Sequence, residues 1–428
     1  MRLIFLNRFF APDHSATAQL LSDLAFGLSE AGHTIQVIAS RRRYDDPKVY
    51  LPARETIRNV EIYRVWSTSW GRDNLALRAL DFATFYATAF FRLLLLARRD
   101  DIIVAKTDPP LIAVVAAPVA LLRGAILVNW FQDVFPEAAE ATGVAGRIGK
   151  VLFRLARSLR NWSIRRAGLN VALGEHMAER LRQQGARESP VVVIPNWADG
   201  DVIYPVAASD NSLRLAWNLD EEFVVGYSGN LGRVHELDAL LTAMSDIAGQ
   251  DFNGPRQPIA FLFIGGGAHY PRLHQEIARR QLKNVHFKPY QPAERLAESL
   301  SVPDVHLISL RPQFEGLVVP SKLYGILAAG RPAIFIGDDN GEVARCLRRA
   351  DCGFTVRPSE GRALAKHITG LADNPKRAAE MGRRARSSFE AQFDKRIAVA
   401  AWTHLLLGAS ARQPARSPEI IQASHPLP

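Results

Sequence analysis

The chain has 428 residues, of which 48% are hydrophobic and 22% are charged, and its formal net charge is +10. This length predicts two domains, and the composition excludes a disordered or fibrous protein. Two cysteines, Cys346 and Cys352, are too few for a disulfide framework or a cysteine-based zinc site, which favours a reducing cytoplasm. The basic charge has no zinc-finger or RNP-type spacing with it, so nucleic acid is not expected as a partner.

The N-terminal run RLIFLN predicts a first β-strand and not a signal peptide, because Arg8 and a Pro-Asp turn follow it instead of a cleavage site. From there to AILVNW, short runs rich in Val, Ile and Leu alternate with helical patterns. Strands without polar alternation are typical of a sheet that is covered on both faces. Residues 1–198 are therefore predicted to form a doubly wound, Rossmann-like α/β domain.

Two segments of this first domain predict contact with a membrane surface. Residues 75–99 are unusually apolar and aromatic, and residues 149–168 form a basic amphipathic stretch. The alternative for the second segment is a domain helix that packs its apolar stripe on the sheet and leaves its arginines in solvent. The longest charge-free apolar run, residues 109–122, has fourteen residues, so buried or interfacial helices are expected instead of a clean membrane span.

Two loops of the first domain carry polar side chains that are candidates for binding a ligand in the expected cleft. NWFQDVFPE follows a strand and places Asp133, a candidate catalytic residue, and Glu137 near the expected cleft. The loop with His14 and Ser15 is placed similarly, and His14 could deprotonate a hydroxyl group. The alternatives are that Asp133 caps the short helix that follows, that Glu137 is solvated and that His14 is a surface group.

The periodicity lapses in VVVIPNWADGDVIYP, where we place the domain boundary. Residues 199–388 repeat the alternation of strands and helices and predict a second Rossmann-like domain that faces the first across a cleft. A helix over residues 389–408 is expected to return to the first domain. Residues 409–428, which mix Pro, Ser and Arg, are expected to be disordered.

Two strand-to-helix junctions of the second domain contain glycines that would let a ligand approach the backbone. YSGNLGR supplies Gly229, Asn230 and Arg233, and FLFIGGG supplies Gly265 as a supporting candidate. In both segments a structural turn explains the glycines equally well. Arg233 favours phosphate as the ligand of the first junction.

A third junction, FEGLVVPSKLYGILAAG, predicts a helix that starts at Pro320 and Ser321. Lys322 falls in the first turn, where a cation is unfavourable toward the helix dipole. A bound anion would compensate for this, and diphosphate is the natural candidate. The same junction supplies three more candidates for this ligand site, namely Glu315, Gly316 and Tyr324.

Together these segments resemble the family 4 glycosyltransferases of the GT-B fold, which consists of two Rossmann-like domains facing a central cleft. The motifs that carry the resemblance are APDHSATAQLLSDLAFGLSEAGHTIQVIAS, VIPNWAD, YSGNLGR, FLFIGGG, PSKLYGILAAGRP and the GE at residues 341–342. NWFQDVFPE and PSKLYGILAAGRP are similar, more narrowly, to bacterial transferases of the colanic-acid and O-antigen type. The family usually has two glutamates eight positions apart. Here the second position is Gly325 and the first is Leu317, so Glu315 is the available carboxylate.

The resemblance implies a retaining hexosyltransferase that uses a UDP- or GDP-type sugar and no metal or other cofactor. The second domain would hold the donor, and Arg233, Lys322 and the Ser321 amide would neutralise the leaving diphosphate. The implied acceptor is a lipid-linked glycan of surface-polysaccharide biosynthesis, which would place the enzyme peripherally on the inner face of the plasma membrane. Two alternatives remain: a sugar-nucleotide epimerase of the same fold, and a noncatalytic nucleotide-sugar-binding scaffold. The sequence indicates no oligomeric state.

Overall fold

A computed structural model describes residues 1–71, 75–143, 147–186, 189–249 and 257–411, which form two α/β domains. The strands of the first domain are β1 (Arg2–Leu6), β2 (Thr34–Ser40), β3 (Arg54–Ile57), β4 (Val60–Val65), β5 (Ile102–Lys106), β6 (Ile126–Trp130), β7 (Leu169–Ala172) and β8 (Val191–Val193). Its helices are α1 (Ala16–Glu30), α2 (Leu75–Leu96), α3 (Ile112–Arg123), α4 (Glu137–Ala141), α5 (Arg147–Arg166) and α6 (Glu175–Gln183).

The first sheet has the strand order β3-β4-β2-β1-β5-β6-β7-β8, and its pairs are parallel except for the antiparallel edge pair of β3 and β4. The strand order reverses between β1 and β5, whose side chains are almost completely buried. Helices cover both faces: α1 packs on one, and α2 and α3 pack on the other. The loops that follow β1 and β5 therefore meet at the switch point of the sheet, where α/β domains bind ligands.

The second domain contains the strands β9 (Phe223–Asn230), β10 (Ile259–Gly266), β11 (Val285–Lys288), β12 (Val305–Ser309), β13 (Ala333–Ile336) and β14 (Gly353–Val356). The helices that follow the first domain are α7 (Ser212–Ala216), α8 (Asp238–Ala248), α9 (Tyr270–Arg279), α10 (Leu296–Ser301), α11 (Lys322–Ala328), α12 (Glu342–Ala350), α13 (Gly361–Ala372), α14 (Pro375–Gln392) and α15 (Lys395–Ala411). The sheet is parallel with the order β11-β10-β9-β12-β13-β14. Its switch point lies between β9 and β12, so the junctions after these two strands meet there. The predicted GT-B architecture is confirmed.

The last helix returns to the first domain. Trp402 of α15 is buried against Trp130 of β6, with ring centroids 4.8 Å apart. Two helices replace the single predicted helix over residues 389–408, because Asp394 starts a new one by accepting the Arg396 amide at 2.8 Å. Residues 409–411, predicted to be disordered, continue α15 after the buried Leu406. Residues 412–428 lie outside the described residues.

The first part of α5 differs from the alternative in which the apolar stripe packs on the sheet, whereas Ile164 near its end is buried in the core. Leu152 is 59% exposed, whereas Arg160 is only 3% exposed. Arg160 points inward because Glu137 accepts its guanidinium at 2.5 Å and the Phe135 carbonyl accepts it at 3.0 Å. The helix thus exposes the leucines of its first part to solvent, buries an ion pair and packs Ile164 of its last turns into the core.

Helix α2 also turns apolar side chains outward. Phe91 and Leu95 are 64% and 76% exposed. Residues 77–96 are long and apolar enough to cross a membrane by length and composition, and 22% of the most apolar window is buried in the protein. Such a helix is weak evidence for a membrane span, but its outward face is unusual for a Rossmann-like domain.

Candidate active site

A cavity of about 580 Å³ lies between the two domains, and we call it the donor cavity. Helix α1, the interdomain segment 196–203 and the junctions after β9 and β12 line it. This volume is typical of small-molecule sites. Five predicted donor-side residues line the cavity, namely Gly229, Asn230, Pro320, Ser321 and Lys322.

Lys322 provides the cation of the donor cavity. Its ammonium nitrogen is buried and has no hydrogen-bond partner among the described residues. It lies 3.5 Å from the centroid of the Tyr227 ring, and its Cε atom is close to the backbone at Gly229. Burial lowers the pKa of Lys322 well below the usual lysine value. A buried ammonium without a counterion is costly, so this arrangement favours binding of an anion.

The C-terminal end of β9 brings Gly229 close to the lysine. Gly229 has φ of +112°, a conformation that favours glycine. Ser321 precedes α11 and makes no side-chain capping hydrogen bond, although capping was part of the predicted helix start. Its side chain is exposed to the donor cavity. The lysine and the end of β9 therefore form one concave polar surface.

His235 also lines the donor cavity, and the sequence analysis did not single it out. Its Nδ1 atom lies 2.6 Å from the carbonyl oxygen of Ser309, which fixes the proton on that nitrogen. Burial, followed by the charge of Lys322, lowers the pKa of His235 to about 3. The neutral imidazole packs edge-on against Tyr227. The segment YSGNLGRVHELD contained this residue, but no feature of the spacing distinguished it.

Arg233 and Gly265 lie near the donor cavity but outside its described lining. Arg233 is exposed in the turn just before Val234, which lines the cavity. Gly265 has φ of +129°, and a Cβ atom there would come within 2.6 Å of the Gly229 carbonyl oxygen. The geometry thus supports the structural alternative for Gly265, whereas Arg233 can reach a ligand only by moving its side chain.

Glu315, predicted to bind the donor, is placed at the contact between the domains. Its Oε1 atom accepts the Glu342 amide at 3.0 Å and lies 3.2 Å from Nδ1 of His176. The carboxylate fits there because Gly341 has no side chain: a Cβ atom would lie 2.5 Å from Oε2. Glu315 therefore does not replace the family glutamate in the donor cavity.

The other two candidates of this junction are also structural. Gly316, with φ of +73°, packs against Arg180 of α6. Tyr324 is buried with its ring 5.3 Å from that of Phe393. At Gly325, where the family has its second glutamate, the helix faces the apolar side chains of Leu300 and Ile203.

Asp133 is held between the domains. Its Oδ1 atom is buried without a hydrogen-bond partner among the described residues, and its backbone forms a bridge with Val318 of the donor-cavity lining. Burial raises the pKa of Asp133 to about 6, although Thr107 counteracts this. The capping alternative is wrong, since α4 begins after Pro136 without a side-chain cap. The residue lines a small cavity of about 20 Å³ inside the first domain, with Thr107 and Arg160, and is not part of the donor-cavity lining.

Of the remaining acceptor-side candidates, Glu137 and Ser15 are bound to other parts of the protein, and His14 is exposed. Glu137 binds both Arg157 and Arg160, so it is neither solvated nor free to bind an acceptor. Ser15 caps α1 by accepting the Ala18 amide at 3.3 Å. His14 is exposed next to it. The described residues contain no group of three or more His, Cys, Asp and Glu side chains that could hold a metal ion.

Two further ionisable residues, one on α1 and one beneath it, were not predicted. Lys106 is fully buried: its ammonium nitrogen donates to the Thr17 carbonyl oxygen at 2.9 Å and lies over the Trp130 ring. Asp23 lines the donor cavity and accepts the indole N–H of Trp197 at 3.1 Å. Burial raises the pKa of Asp23 and lowers that of Lys106. No sequence pattern distinguishes either residue, because their burial results from tertiary contacts.

Two families match consecutive parts of the chain. Residues 16–197 match the glycosyl transferase 4-like domain, and residues 211–388 match the glycosyl transferases group 1. WbjE of Pseudomonas aeruginosa, named as a glycosyltransferase, is 26% identical over 65% of this chain and 67% of its own. WcaI of Escherichia coli K12, whose name is that of a colanic acid biosynthesis glycosyl transferase, is 24% identical over 86% of this chain and 91% of its own.

Solved structures share the fold. Sucrose-phosphate synthase from Thermosynechococcus elongatus superposes with a TM-score of 0.75 at 16% identity, covering 96% of this chain and 99% of its own. Anabaena HepE in complex with UDP and glucose has a TM-score of 0.71 at 19% identity and covers 95% and 100% of the two chains. With both family matches in order and the two facing domains in place, the chain belongs to the family 4 glycosyltransferases of the GT-B fold.

Proposed function

We propose that this glycosyltransferase moves a hexose, with retention of configuration and without a metal ion, from a nucleotide diphosphate sugar to a lipid-linked glycan. The product would be a repeat of a bacterial surface polysaccharide, as the name of WcaI suggests for that relative. The observation that carries the proposal is the unpaired, buried ammonium of Lys322 beside Gly229.

The diphosphate is expected to lie between Lys322 and the end of β9 at Gly229 and Asn230. As the glycosidic bond breaks, negative charge builds up on the leaving diphosphate, and fixed cations stabilise that charge most effectively where water is excluded. Lys322 has the required position and burial. Arg233 could add a second positive charge if its exposed side chain folds over the phosphate.

The nucleoside is expected to occupy the far end of the donor cavity. Ala293, Leu296 and Leu300 form an apolar wall there, and Gly325 leaves room beside it. Apolar surfaces with a few polar groups are typical of nucleobase sites. HepE was solved with UDP, which supports a UDP-type donor for this chain.

The acceptor hydroxyl would enter from the first domain, along α1 and the loop after β6. Retention requires attack on the face from which the diphosphate leaves, so the departing phosphate can take the acceptor proton. Asp133, with its pKa raised to about 6 mainly by burial, is the side chain that could take part in this transfer. Asp133 lines a small cavity of the first domain and not the donor cavity, so the hydroxyl would have to reach the loop after β6 for this transfer.

The outer faces of α2, α3 and α5 support a membrane location for the acceptor. We call them the apolar face; its exposed side chains are Leu80, Phe91, Leu95, Leu121, Leu122, Val151, Leu152, Leu155 and Leu159. Helix α3 packs between the other two, and the exposed Arg98, Arg123 and Arg154 lie in the same helices or at their ends. Apolar side chains bordered by arginines match the chemistry of an anionic bilayer surface.

The test is transfer from labelled UDP-sugars to lipid extracted from bacterial membranes, with the anomeric configuration of the product read by NMR. We expect lipid-bound label with the donor's configuration, and its loss in Lys322→Ala. Lys283→Ala, which removes an exposed lysine of the same domain, is the matched control. Donor epimerised in the absence of lipid would show an epimerase instead, and binding of UDP-sugar without any turnover would show a scaffold.

A further inference from the structure

A second interdomain cavity, of about 600 Å³, lies where the chain crosses between the domains. We call it the hinge groove. Val193 and Pro195 of the first crossing and Gln392 and Phe393 of the second line it. The groove shares Val319 with the donor cavity and otherwise has its own lining. A ligand bound here would contact both domains at their connection.

Three arginines face the hinge groove. Arg345 and Arg349 are one turn apart on α12, and Arg384 extends from α14. Arg345 donates through Nη2 to Glu342 at 2.5 Å, and Arg384 binds Asp351 through Nε and Nη2. Arg349 is exposed and has no hydrogen bond or ion pair among the residues the structure describes. Each guanidinium therefore keeps N–H groups without an acceptor among the residues that the structure describes.

The acidic residues of the groove are already neutralised. Glu342 accepts the His176 amide at 2.9 Å in addition to Arg345, and Glu175 lies 3.8 Å from Arg182. Because Arg345 pairs with Glu342 and Arg384 pairs with Asp351, the positive charge that remains unpaired among the described residues of the groove is that of Arg349. Free guanidinium N–H groups in such a setting match phosphate oxygens, which they bind in pairs.

The rest of the lining suits a ligand larger than phosphate alone. Ser387 and Ser388 supply hydroxyl groups and Gln392 an amide, next to the apolar side chains of Leu323 and Phe393. Hydroxyl and amide groups beside an apolar floor match a polyol ring. The volume is sufficient for a sugar phosphate.

We propose that the hinge groove binds a small phosphorylated polyol, of the sugar phosphate class, as an effector. Leu323 and Tyr324 of the groove directly follow Lys322, so an occupant contacts the helix that carries the donor-site cation. Binding there should change the affinity for the nucleotide, and the nucleotide should change the affinity for the effector by the same factor.

Calorimetry with glucose 1-phosphate, in the presence of saturating UDP to block the donor cavity, tests the site. We expect binding by the wild-type protein, at least tenfold weaker binding by Arg349→Ala/Arg384→Ala, and no change in Arg348→Ala, an exposed arginine of the same helix. The single Arg349→Ala variant replaces the double one if the latter does not fold, since that side chain has no partner among the described residues. No binding up to about 10 mM, or equal binding by the arginine variants, would overturn the site.

The effector role has its own readout. The Kd for UDP should change at least twofold when glucose 1-phosphate is added to the wild-type protein, and should not change in the arginine variant. An identical Kd with and without glucose 1-phosphate would overturn the effector role. The site does not depend on the proposed transfer, because neither measurement requires turnover.

Discussion

The ammonium nitrogen of Lys322 lies 3.5 Å from the centroid of the Tyr227 ring, and among the described residues no carboxylate balances it. The ring's negative face compensates only part of the lost hydration. A ligand phosphate would supply the missing counterion, which makes this pair the structural basis for donor binding.

Replacing Lys322 with alanine should therefore weaken UDP binding about 10- to 100-fold, since a charge-assisted hydrogen bond is worth about 1.5–3 kcal/mol. The free energy of unfolding should not fall comparably, because no partner is left unpaired by the change. Calorimetry with UDP and urea unfolding measure the two quantities. Unchanged UDP affinity in a folded Lys322→Ala protein would place the diphosphate elsewhere.

UDP binding should be accompanied by proton uptake. Burial lowers the pKa of Lys322 in the unliganded protein, and a neighbouring phosphate would raise it again. Above pH 8 the phosphates of UDP are fully ionised, so they do not contribute a proton change. Calorimetry in two buffers of different ionisation enthalpy should give different apparent enthalpies.

The control for this proton uptake is Lys322→Met, in which the difference between the buffers should vanish. His235 faces the same lysine and is the other group that could gain a proton. His235→Asn should retain the wild-type difference. Identical enthalpies for the wild-type protein in both buffers would mean that Lys322 is charged before UDP binds.

The sequence predicted the fold better than the orientation of individual side chains. Alternating hydrophobic runs determine the two sheets, and the strand-to-helix junctions place Gly229 and Lys322 at the switch point. Glu315 could not be assigned correctly, because its position depends on a contact with α6 and on the absence of a side chain at Gly341. His235 becomes part of the site only through Ser309, 74 residues further along the chain.

The inward ion pair of α5 is a second case in which the sequence does not determine the orientation of side chains. The repeat of arginines and leucines is compatible with either face toward the sheet. Glu137 and the carbonyl of Phe135 select the orientation that buries Arg160. Such pairing between segments more than 20 residues apart is a tertiary effect that periodicity does not contain.

Arg160→Ala should lower the free energy of unfolding by about 2–3 kcal/mol, since it removes the buried partner of Glu137 and leaves only the half-exposed Arg157 to pair with this carboxylate. Urea unfolding followed by circular dichroism measures this change. Arg154→Ala, an exposed position of the same helix, should change stability by less than about 0.5 kcal/mol. Equal effects of the two substitutions would contradict the inward orientation of Arg160.

Acid should destabilise the protein partly through His235. Its pKa is lowered, chiefly by burial, to about 3 from an ordinary value of 6.5, so below pH 6.5 the unfolded chain binds a proton that the folded one does not. The stability contribution is fully present above pH 6.5 and is lost as the pH falls toward 3. The loss at pH 4 should be on the order of 3 kcal/mol.

His235→Asn should make the free energy of unfolding less dependent on pH between 6.5 and 4, whatever its effect at neutral pH. His14→Asn, which changes an exposed histidine, should leave the pH dependence as it is. His306 is also buried, with a pKa lowered by burial to about 4, so some acid sensitivity should persist in His235→Asn. A wild-type slope in that variant would show that His235 is accessible to protons in the folded state.

The apolar face should bind anionic vesicles, and Leu152→Ser/Leu155→Ser should weaken this binding about 10- to 100-fold. Transfer of each leucine side chain from water to the bilayer should contribute about 1 kcal/mol or more to the binding free energy. This is less than the value for a fully exposed leucine, because both side chains are already partly buried in the protein. Because both side chains are exposed, the free energy of unfolding should change little. Sedimentation with vesicles of phosphatidylglycerol and phosphatidylcholine measures the binding, and Leu215→Ser, at an exposed leucine of the second domain, is the matched control. We expect a loss of binding only in the α5 variant, and weaker binding of the wild-type protein at high salt, because the surface combines apolar insertion with attraction between arginines and anionic lipids. Equal losses in the two variants would indicate nonspecific adsorption.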